Sequence, residues 1–138
     1  MLHFSKSFSL RTHAQHEICD ITTEVTRALE ESGVQNGQLV VYTPHATAAI
    51  TVNENDDPNI RTDVLRALAT MVPEHDGWLH DRVDNNAAAH IKSAIVGPSE
   101  AIPILSGRLA IGTWQNIFFC EFDGPRHERR VILSIVGQ

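Results

Sequence analysis

Apolar and polar residues alternate at both ends of the chain. Residues 2–13 alternate loosely, with Phe4, Phe8 and Leu10 on one parity, and a period of two predicts a strand at the edge of a sheet. NGQLVVYT (36–43) predicts a turn that leads into a buried strand. From Ser99 onward, AIPIL, RLAIGTWQNIFFCEFD and RRVILSIVG predict three or more strands joined by glycine-containing turns.

The segment HATAAITVN (45–53) alternates between two different faces. One face is apolar and holds Ala46, Ala48, Ile50 and Val52. The other face is small and polar, and it holds His45, Thr47, Ala49, Thr51 and Asn53. This second face suits either the lining of a pocket or an ordinary solvent-facing surface, and alternation alone does not decide between them.

Apolar residues recur at helical spacing in three stretches of the first two thirds of the chain. The first runs from Glu17 to Ser32, and Gly33 follows as a stop signal. The second, DDPNIRTDVLRALATMV (56–72), has Asp57 as its N-cap and Pro58 in its first turn. Its apolar stripe consists of Ile60, Val64, Leu68 and Met71.

The third helix begins after Asn85 or Asn86 as cap and runs to about Val96, where GPS closes it. Its predicted apolar stripe consists of Ala87, Ile91, Ala94 and Ile95. His90 lies one turn after Asn86 at the edge of that stripe. The neighbouring alanines would leave space for a ligand to approach the ring, although a histidine in such a position is more often a hydrogen-bonded structural residue than a ligand.

The order of these elements predicts the fold class. Strands come first, helices lie in the middle and strands come last, which predicts one α+β domain over residues 1–138. We expect a largely antiparallel sheet and about three helices, because a regular alternation of strands and helices is absent.

Composition indicates which binding partners and which cellular compartment to expect. The 138-residue chain carries a net charge of −6, and its densest basic run, RHERR (126–130), is interrupted by an acid, so nucleic acid is not an expected partner. No apolar run is long enough to cross a membrane, and the N-terminus lacks the apolar core of a signal peptide. Two cysteines make no disulfide framework, so we expect a cytoplasmic protein with reduced thiols.

Glu121 is the anomaly of the C-terminal strands. NIFFCEF (116–122) is apolar on both faces, and a lone carboxylate in such a strand needs a cation, a metal or a raised pKa. Gln115 and Asp123 share its parity, so one strand could direct an amide and two acids into one space. The alternative is an ion pair between Glu121 and Arg126 or Arg129.

Histidine is unusually frequent, with eight residues against one tyrosine. Three imidazoles and a few carboxylates drawn from a strand, a loop and a helix would suit zinc or a similar divalent ion with one open coordination position. The spacings match no short metal motif, however, so spacing alone is weak support for a metal site.

Longer motifs resemble one known family. SEAIPILSGRLAIGTWQNI (99–117), followed by EFDGPR (121–126), is similar to the signature of the YjbQ family, also labelled secondary thiamine-phosphate synthases. HATAAITVNENDDP (45–58) and LHDRVDNNAAAHIKSAIVG (79–97) resemble further motifs of that family. The resemblance covers residues 40–138 and extends to the whole chain.

The resemblance implies a compact α+β domain, commonly a homotrimer with pockets near subunit boundaries, and a set of functional residues. The polar positions that match are His45, Thr47, Asn53, Glu54, His80, Asn86, His90, Gln115, Glu121, Asp123 and Arg126. We expect a divalent metal, with zinc first and magnesium or manganese as alternatives, on His45, His80 and His90. The catalytic set is Glu121 as general base or further ligand, with Asn86, Gln115 and Asp123. Arg126, Thr47 and Asn53 would bind phosphate.

The implied reaction joins a pyrimidine-methyl diphosphate to a thiazole phosphate, giving thiamine phosphate and diphosphate. The chain has no glycine-rich phosphate loop and no aspartate-rich metal motif, and only Arg126 with Lys92 supplies positive charge nearby. That shortage fits a low-level synthase-type activity. Metal-dependent hydrolysis of a phosphorylated metabolite and a non-catalytic trimer that binds a small anion remain alternatives.

One position departs from the family pattern. Ala46 stands where the family usually has threonine. Alternation places Ala46 on the face opposite His45, so we expect the site to tolerate the change.

Overall fold

The computed structural model describes residues 1–138 as eight strands, three α-helices and one 3₁₀ turn over Leu79–Arg82. The strands are β1 (Leu2–Leu10), β2 (Glu17–Asp20), β3 (Gly37–Tyr42), β4 (Ala48–Glu54), β5 (Ser99–Leu105), β6 (Arg108–Leu109), β7 (Gln115–Glu121) and β8 (Arg129–Gly137). The helices are α1 (Thr22–Ser32), α2 (Asn59–Met71) and α3 (Ala87–Val96).

The strands form two sheets in which every pairing is antiparallel. Five strands make the larger sheet, in the order β1-β8-β3-β5-β6, and three make the smaller one, in the order β2-β7-β4. The α+β prediction with three helices is therefore confirmed, and β1 is an edge strand as its alternation predicted. The larger sheet and the smaller sheet are separate, which the sequence did not indicate.

The main core lies between the two sheets. It combines side chains of β3, β5 and β8 with those of β4 and β7, and α1 closes one side of it. A second cluster covers the opposite face of the smaller sheet, where Leu68 of α2 and Ala89 of α3 pack on Phe118 and Cys120. The smaller sheet is thus buried on both faces, and this explains why the sequence of β7 is apolar on both parities.

The first predicted helix starts too early. Glu17–Asp20 forms strand β2, whose register with β7 pairs Glu17 with Glu121 and Asp20 with Phe118. The helix begins only at Thr22 and ends at Gly33, as predicted. The spacing of the apolar residues near Ile18 is compatible with either a helix or a strand. Hydrogen bonding to β7 stabilises the strand.

The second helix lies where the sequence predicts it, except that Met71, the last residue of its predicted apolar stripe, is exposed. The Asp57 side chain accepts a hydrogen bond from the Asn59 N–H at 2.9 Å, which caps the first turn. Leu68 is buried, but Met71 is 62% exposed, so its assignment to the stripe is wrong. The helix ends there, beyond the part of the sheet that it covers.

The third helix is rotated about its axis relative to the prediction, so that a different face is buried. Ala87 of the predicted stripe is buried, together with Ala88, Ala89, Lys92 and Ser93, whereas Ile95 of that stripe is 53% exposed. Alanines on α3 and Ala48 and Ala49 on β4 let the helix pack closely on the sheet, and Ser93 Oγ donates a hydrogen bond to the Ala48 carbonyl at 2.5 Å. The alanines that precede His90 are therefore buried by packing, and they do not form the space for a ligand that the sequence suggested.

The two predicted faces of residues 45–53 hold only from Ala48 onward. Ala48 and Ile50 enter the main core and Ala49 is buried under the helices, while Thr51 and Asn53 of the second face line a pocket beneath α2. His45 and Ala46 precede the strand and line the same cavity. The predicted opposition of these two side chains is therefore wrong, because β-sheet alternation has not yet begun there.

None of the helices in the structure is long and apolar enough to cross a membrane.

Candidate functional site

Most of the predicted polar residues lie where β7 ends. The strand runs down to Glu121, and the segment 123–127 then turns back along the chain that follows β1. The start of β8, the segment before β4 and the face of α3 meet at the same place. This end of the smaller sheet is the candidate site.

Glu121 and Arg129 form an ion pair at the base of the site. Arg129 Nε donates to Glu121 Oε1 at 2.8 Å, and Arg129 Nη2 donates a short bond to Oε2. Thr12 Oγ1 donates to Oε1 at 2.7 Å, and the Asp123 N–H donates to Oε2 at 3.1 Å. Burial acts to raise the pKa of Glu121, but these hydrogen bonds together hold it below its ordinary value. The carboxylate is therefore ionised and fully occupied, as the ion-pair alternative anticipated.

Asp123 links three predicted residues at the surface of the site. Asn86 Nδ2 donates to Asp123 Oδ2 at 2.8 Å, and Arg126 Nη2 donates to the same oxygen at 2.9 Å. Arg126 Nε also donates to the Asp123 carbonyl. Asn86 precedes α3 as predicted, but its side chain does not cap the helix, because Asp81 Oδ1 accepts the Ala87 N–H instead. Asn86, Asp123 and Arg126 are thus brought together.

The turn DGPR (123–126) is shaped by close packing against the loop between β1 and β2. A side chain at Gly124 would collide with the Ala14 carbonyl oxygen and would lie 3.0 Å from Thr12 Oγ1. The bond between Gly124 and Pro125 is cis. Only glycine allows this approach, which puts Asp123 and Arg126 on the same side of the turn.

His80 and His90 are in direct contact. Their ring centroids are 4.7 Å apart with the planes at 82°, an edge-to-face arrangement. Nε2 of His80 is buried without a hydrogen-bond partner, and its nearest acid, Asp84, lies 3.7 Å away. Asn86 Oδ1 is also buried and unpartnered. Unsatisfied buried polar atoms at one place are expected where a ligand or an ion completes the bonding.

His45 lies close to the same region but is held differently. It lines a cavity of about 460 Å³ together with His90. Its Nε2 accepts the Arg130 backbone N–H at 2.9 Å, so the proton of the neutral ring sits on Nδ1. Burial lowers the pKa of His45, and the positive charge of Arg129 lowers it further. The neutral ring therefore offers an N–H donor to a ligand in the cavity.

Lys92 is a functional candidate that the sequence reasoning gave too little weight. Its side chain is only 2% exposed, and Nζ lies 3.3 Å from His16 Nε2 and 3.6 Å from Glu74 Oε1. His16 and Glu74 are 3.4 Å apart, and Glu74 Oε1 has no hydrogen-bond partner. Burial lowers the pKa of His16, and the charge of Lys92 adds to this. A signal existed in the sequence, since a lysine follows two residues after His90 among alanines.

Three predicted residues have other positions. Thr47 is 7% exposed, and its Oγ1 accepts a hydrogen bond from Arg129 Nη2 at 3.0 Å, so it supports the buried ion pair. Asn53 and Gln115 lie at the far end of the smaller sheet, where Asn53 pairs with Asn116. Six strand positions separate Gln115 from Glu121, which corresponds to about 20 Å. Within one chain, neither residue meets Asp123 or Arg126.

The two cysteines are free thiols, as expected. Cys19 lies on β2 rather than on a helix, and Cys120 is buried in β7. Burial raises the pKa of Cys120 to about 12 and also raises that of Cys19. Both thiols are protonated near neutral pH, which makes them poor nucleophiles.

The site carries no ready group of three histidine, cysteine, aspartate or glutamate side chains close enough to hold a metal ion. His80 Nε2 and Asn86 Oδ1 are buried without hydrogen-bond partners, and the His90 ring contacts that of His80. Imidazole and amide oxygen are accepted ligands of divalent ions. His45 would first have to release the Arg130 N–H to coordinate through Nε2.

The chain is similar in sequence to the proteins of one family over almost its whole length. The family model described as "UPF0047 protein YjbQ-like" matches residues 6–138. The UPF0047 protein YugU of Bacillus subtilis is 46% identical over 133 residues, which cover 96% of this chain and 98% of the relative. The UPF0047 protein MJ1081 of Methanocaldococcus jannaschii is 42% identical and covers 94% of this chain and 92% of its own length.

Solved structures agree with this grouping. A YbjQ-like protein of unknown function from Sulfolobus solfataricus superposes with a TM-score of 0.97 at 35% identity and covers 99% of both chains. A protein of the yjbq/upf0047 family from Clostridium acetobutylicum has a TM-score of 0.91 at 44% identity, over 95% of this chain and 99% of that one. The chain belongs to the UPF0047 family of YjbQ-like proteins.

Proposed function

We propose that the chain is a low-level thiamine-phosphate synthase-type enzyme, in which a divalent metal and a phosphorylated small molecule bind at the end of β7. The observation that carries the proposal is the contact of His80 with His90, in which the buried Nε2 of His80 has no partner. A metal, with zinc as the first candidate, would satisfy this atom. When bound, it would supply a positive charge that stabilises a diphosphate leaving group.

The residues around this contact have distinct roles in the proposal. Asn86 Oδ1 completes the protein donors, while its amide group fixes Asp123. Arg126 binds a phosphoryl group with the guanidinium N–H groups that Asp123 leaves free. His45 donates its Nδ1–H to the ligand in the cavity that it shares with His90. Lys92 adds a fixed positive charge from the buried side.

The state of Glu121 favours substitution over hydrolysis. In the proposed reaction, the thiazole nitrogen forms a bond to the pyrimidine methylene carbon with its own lone pair. The carbon–oxygen bond to diphosphate breaks and the diphosphate takes the electron pair, so no general base has to remove a proton. Hydrolysis would require a base for water, and the Glu121 carboxylate is already engaged by four hydrogen bonds. Glu121 then acts as a positioning residue for Asp123 and Arg129.

Three further features belong to the same proposal. The active form is a homotrimer, with pockets near the subunit boundaries. The reaction takes place in the cytoplasm, where Cys19 and Cys120 stay reduced. Asn53 and Gln115, which lie far from Asp123 within one chain, would then be supplied to a site by a neighbouring copy.

Metal content tests the metal site. Untagged protein, His90→Ala and His80→Ala are compared by plasma mass spectrometry after exposure to zinc, manganese and magnesium salts. The control is His75→Ala, because His75 is an exposed histidine of the same loop. We expect near-stoichiometric metal in the wild type and in the control, and loss of metal in both site variants. Equal metal content in all four proteins, or none in any, would refute the metal site.

Turnover tests the reaction. The metal-loaded protein is mixed with the pyrimidine-methyl diphosphate and with or without the thiazole phosphate, and thiamine phosphate and diphosphate are measured. Equal amounts of both products, formed only with both substrates, would support the synthase-type activity. Release of phosphate or diphosphate without the thiazole substrate would identify the hydrolase alternative.

A non-catalytic small-anion-binding protein is the second candidate function. It is favoured by the engagement of Glu121, because the carboxylate that the sequence indicated as general base is not free to accept a proton. Such a protein would bind the phosphorylated ligand without any product in the turnover assay.

A further inference from the structure

A second group of basic side chains lines a cleft beside the proposed site. The cleft has a volume of about 310 Å³, within the range of small ligand pockets, and Pro125 is the one apolar residue that lines it. Its walls are two short segments of chain, residues 11–13 and residues 125–127. The basic residues among them are Arg11, His13, Arg126 and His127.

The two walls are held rigidly together. The Thr12 N–H donates to the Arg126 carbonyl at 2.9 Å, and the Arg126 N–H donates to Thr12 Oγ1 at 2.9 Å. Thr12 Oγ1 in turn donates to the buried Glu121 carboxylate. Because Thr12 is 2% exposed and bonded in three directions, the cleft is fixed before any ligand arrives.

Arg11 is the cation of the cleft that has no carboxylate partner. The side chain of Arg11 has one recorded partner, His127 Nδ1, to which Arg11 Nη2 donates at 2.6 Å. Arg11 can only donate, so Nδ1 of His127 accepts and the neutral ring carries its proton on Nε2. Two of the other basic residues have acidic partners, because His13 lies against Glu17 and Arg126 against Asp123, while Glu128 accepts a bond from Ser9.

Arg126 belongs to both the cleft and the proposed site. Its guanidinium group contacts Asp123 through Nε and Nη2, which leaves Nη1 free. Arg11 stands on the opposite wall with its Nε and Nη1 groups free. Two guanidinium groups on the two walls, each with free N–H donors, suit a ligand that has two linked anionic groups rather than one.

We propose that this cleft binds a diphosphate group, with Arg11 and His127 on one phosphoryl group and Arg126 on the other. The inference deepens the proposed function and rests on it for the choice of a diphosphate as the substrate class. Arg11, His13 and His127 would then be binding residues outside the set predicted from the sequence. In an acidic protein, this cleft directs the diphosphate end of the substrate toward Asp123 and Arg126.

Calorimetric titration with inorganic pyrophosphate and, separately, with inorganic phosphate tests the proposal. The titrations use the full chain with a chelator present, so that metal at His80 and His90 cannot contribute. The variants are Arg11→Ala and His127→Ala, and the matched control is Arg27→Ala, an exposed arginine of α1 that shares no contact with the cleft. Circular dichroism melting checks that each variant is folded.

We expect pyrophosphate to bind the wild type more tightly than phosphate does. Arg11→Ala should weaken pyrophosphate binding about tenfold to a hundredfold, as expected for one or two hydrogen bonds to a charged group. Arg27→Ala should change it less than about twofold. Absence of pyrophosphate binding, equal binding by Arg11→Ala and Arg27→Ala, or a preference for phosphate would each overturn the proposal. Binding that behaves as expected without turnover would instead refute the proposed reaction and leave the diphosphate cleft standing.

Discussion

Glu121 and Arg129 join the two sheets through a buried ion pair. Glu121 ends β7 in the smaller sheet, Arg129 begins β8 in the larger one, and their side chains are 0% and 3% exposed. Thr12 donates to the Glu121 carboxylate, and Thr47 accepts from the guanidinium group. The pair therefore closes the sheet sandwich at the end where the candidate site lies.

Arg129→Met should destabilise the fold strongly. The substitution keeps most of the side-chain volume but leaves the Glu121 carboxylate buried without its cation, which typically costs about 3–5 kcal/mol. The free energy of unfolding in urea measures this. Arg130→Met is the control, because Arg130 is the exposed neighbour on the same strand.

The double variant Glu121→Met with Arg129→Met shows whether the cost comes from the unpaired charge. We expect it to lose less stability than Arg129→Met alone, because no buried charge remains without a partner. A double variant whose loss equals the sum of the two single losses would show that the two side chains act independently.

The pair should also make stability depend on acid pH. Since hydrogen bonds hold the pKa of Glu121 below its ordinary value of 4.5, the unfolded chain takes up the proton first as the pH falls. The contribution of the pair is thus complete above about pH 4.5 and is lost as the pH falls through the lower folded pKa. Unfolding free energies measured from pH 6 to pH 3 should fall more steeply in the wild type than in Glu121→Gln. Parallel curves would show that another group controls the acid transition.

The sequence was sufficient for the fold class and for part of the site. Alternation identified β1 and β3, and helical spacing together with Pro58 and Gly33 located α2 and the end of α1. The burial of Glu121 followed from the apolar residues on both sides of it. Such local patterns report which residues a segment can bury, but they did not fix the buried face of each helix, since Met71 and Ile95 of the predicted stripes are exposed.

Tertiary packing decided the rest. Residues 17–20 pair with β7 although their spacing allows a helix, and α3 turns Lys92 inward although Ile91 and Ile95 are more apolar. The close approach of α3 to β4 requires small residues, so the alanines determine which face is buried. Gln115 and Glu121 point to the same face of β7, but they lie about six strand positions apart. Alternation predicts which face a side chain is on, and it does not show that two side chains on that face are close enough to share a site.

Lys92→Met should leave the fold as stable as before or make it more stable by about 1 kcal/mol. Methionine fills nearly the same volume, and the cost of burying an ammonium group with incomplete hydrogen bonding is removed. Lys92→Ala is the comparison, and we expect it to lose about 2–5 kcal/mol because it leaves a cavity under α3. Thermal and urea unfolding of both variants measure the difference. If methionine destabilised as much as alanine, the ammonium group itself would be a stabilising part of the core.

The same substitution should raise the pKa of His16. Burial lowers that pKa first, the charge of Lys92 lowers it further, and Glu74 and Asp123 act in the opposite direction. Without the positive charge of Lys92, the two acids raise the pKa of His16 with less opposition. The imidazole therefore gains its proton at a higher pH than in the wild type. An NMR titration of the histidine Cε1–H signals follows this directly, with Lys6→Met as a control that removes an exposed lysine paired with Glu31. A His16 titration that is identical in the wild type and in both variants would mean that Lys92 and His16 do not interact across the 3.3 Å that separates them. A rise in Lys92→Met alone would establish that the buried lysine tunes the protonation of a residue at the edge of the site.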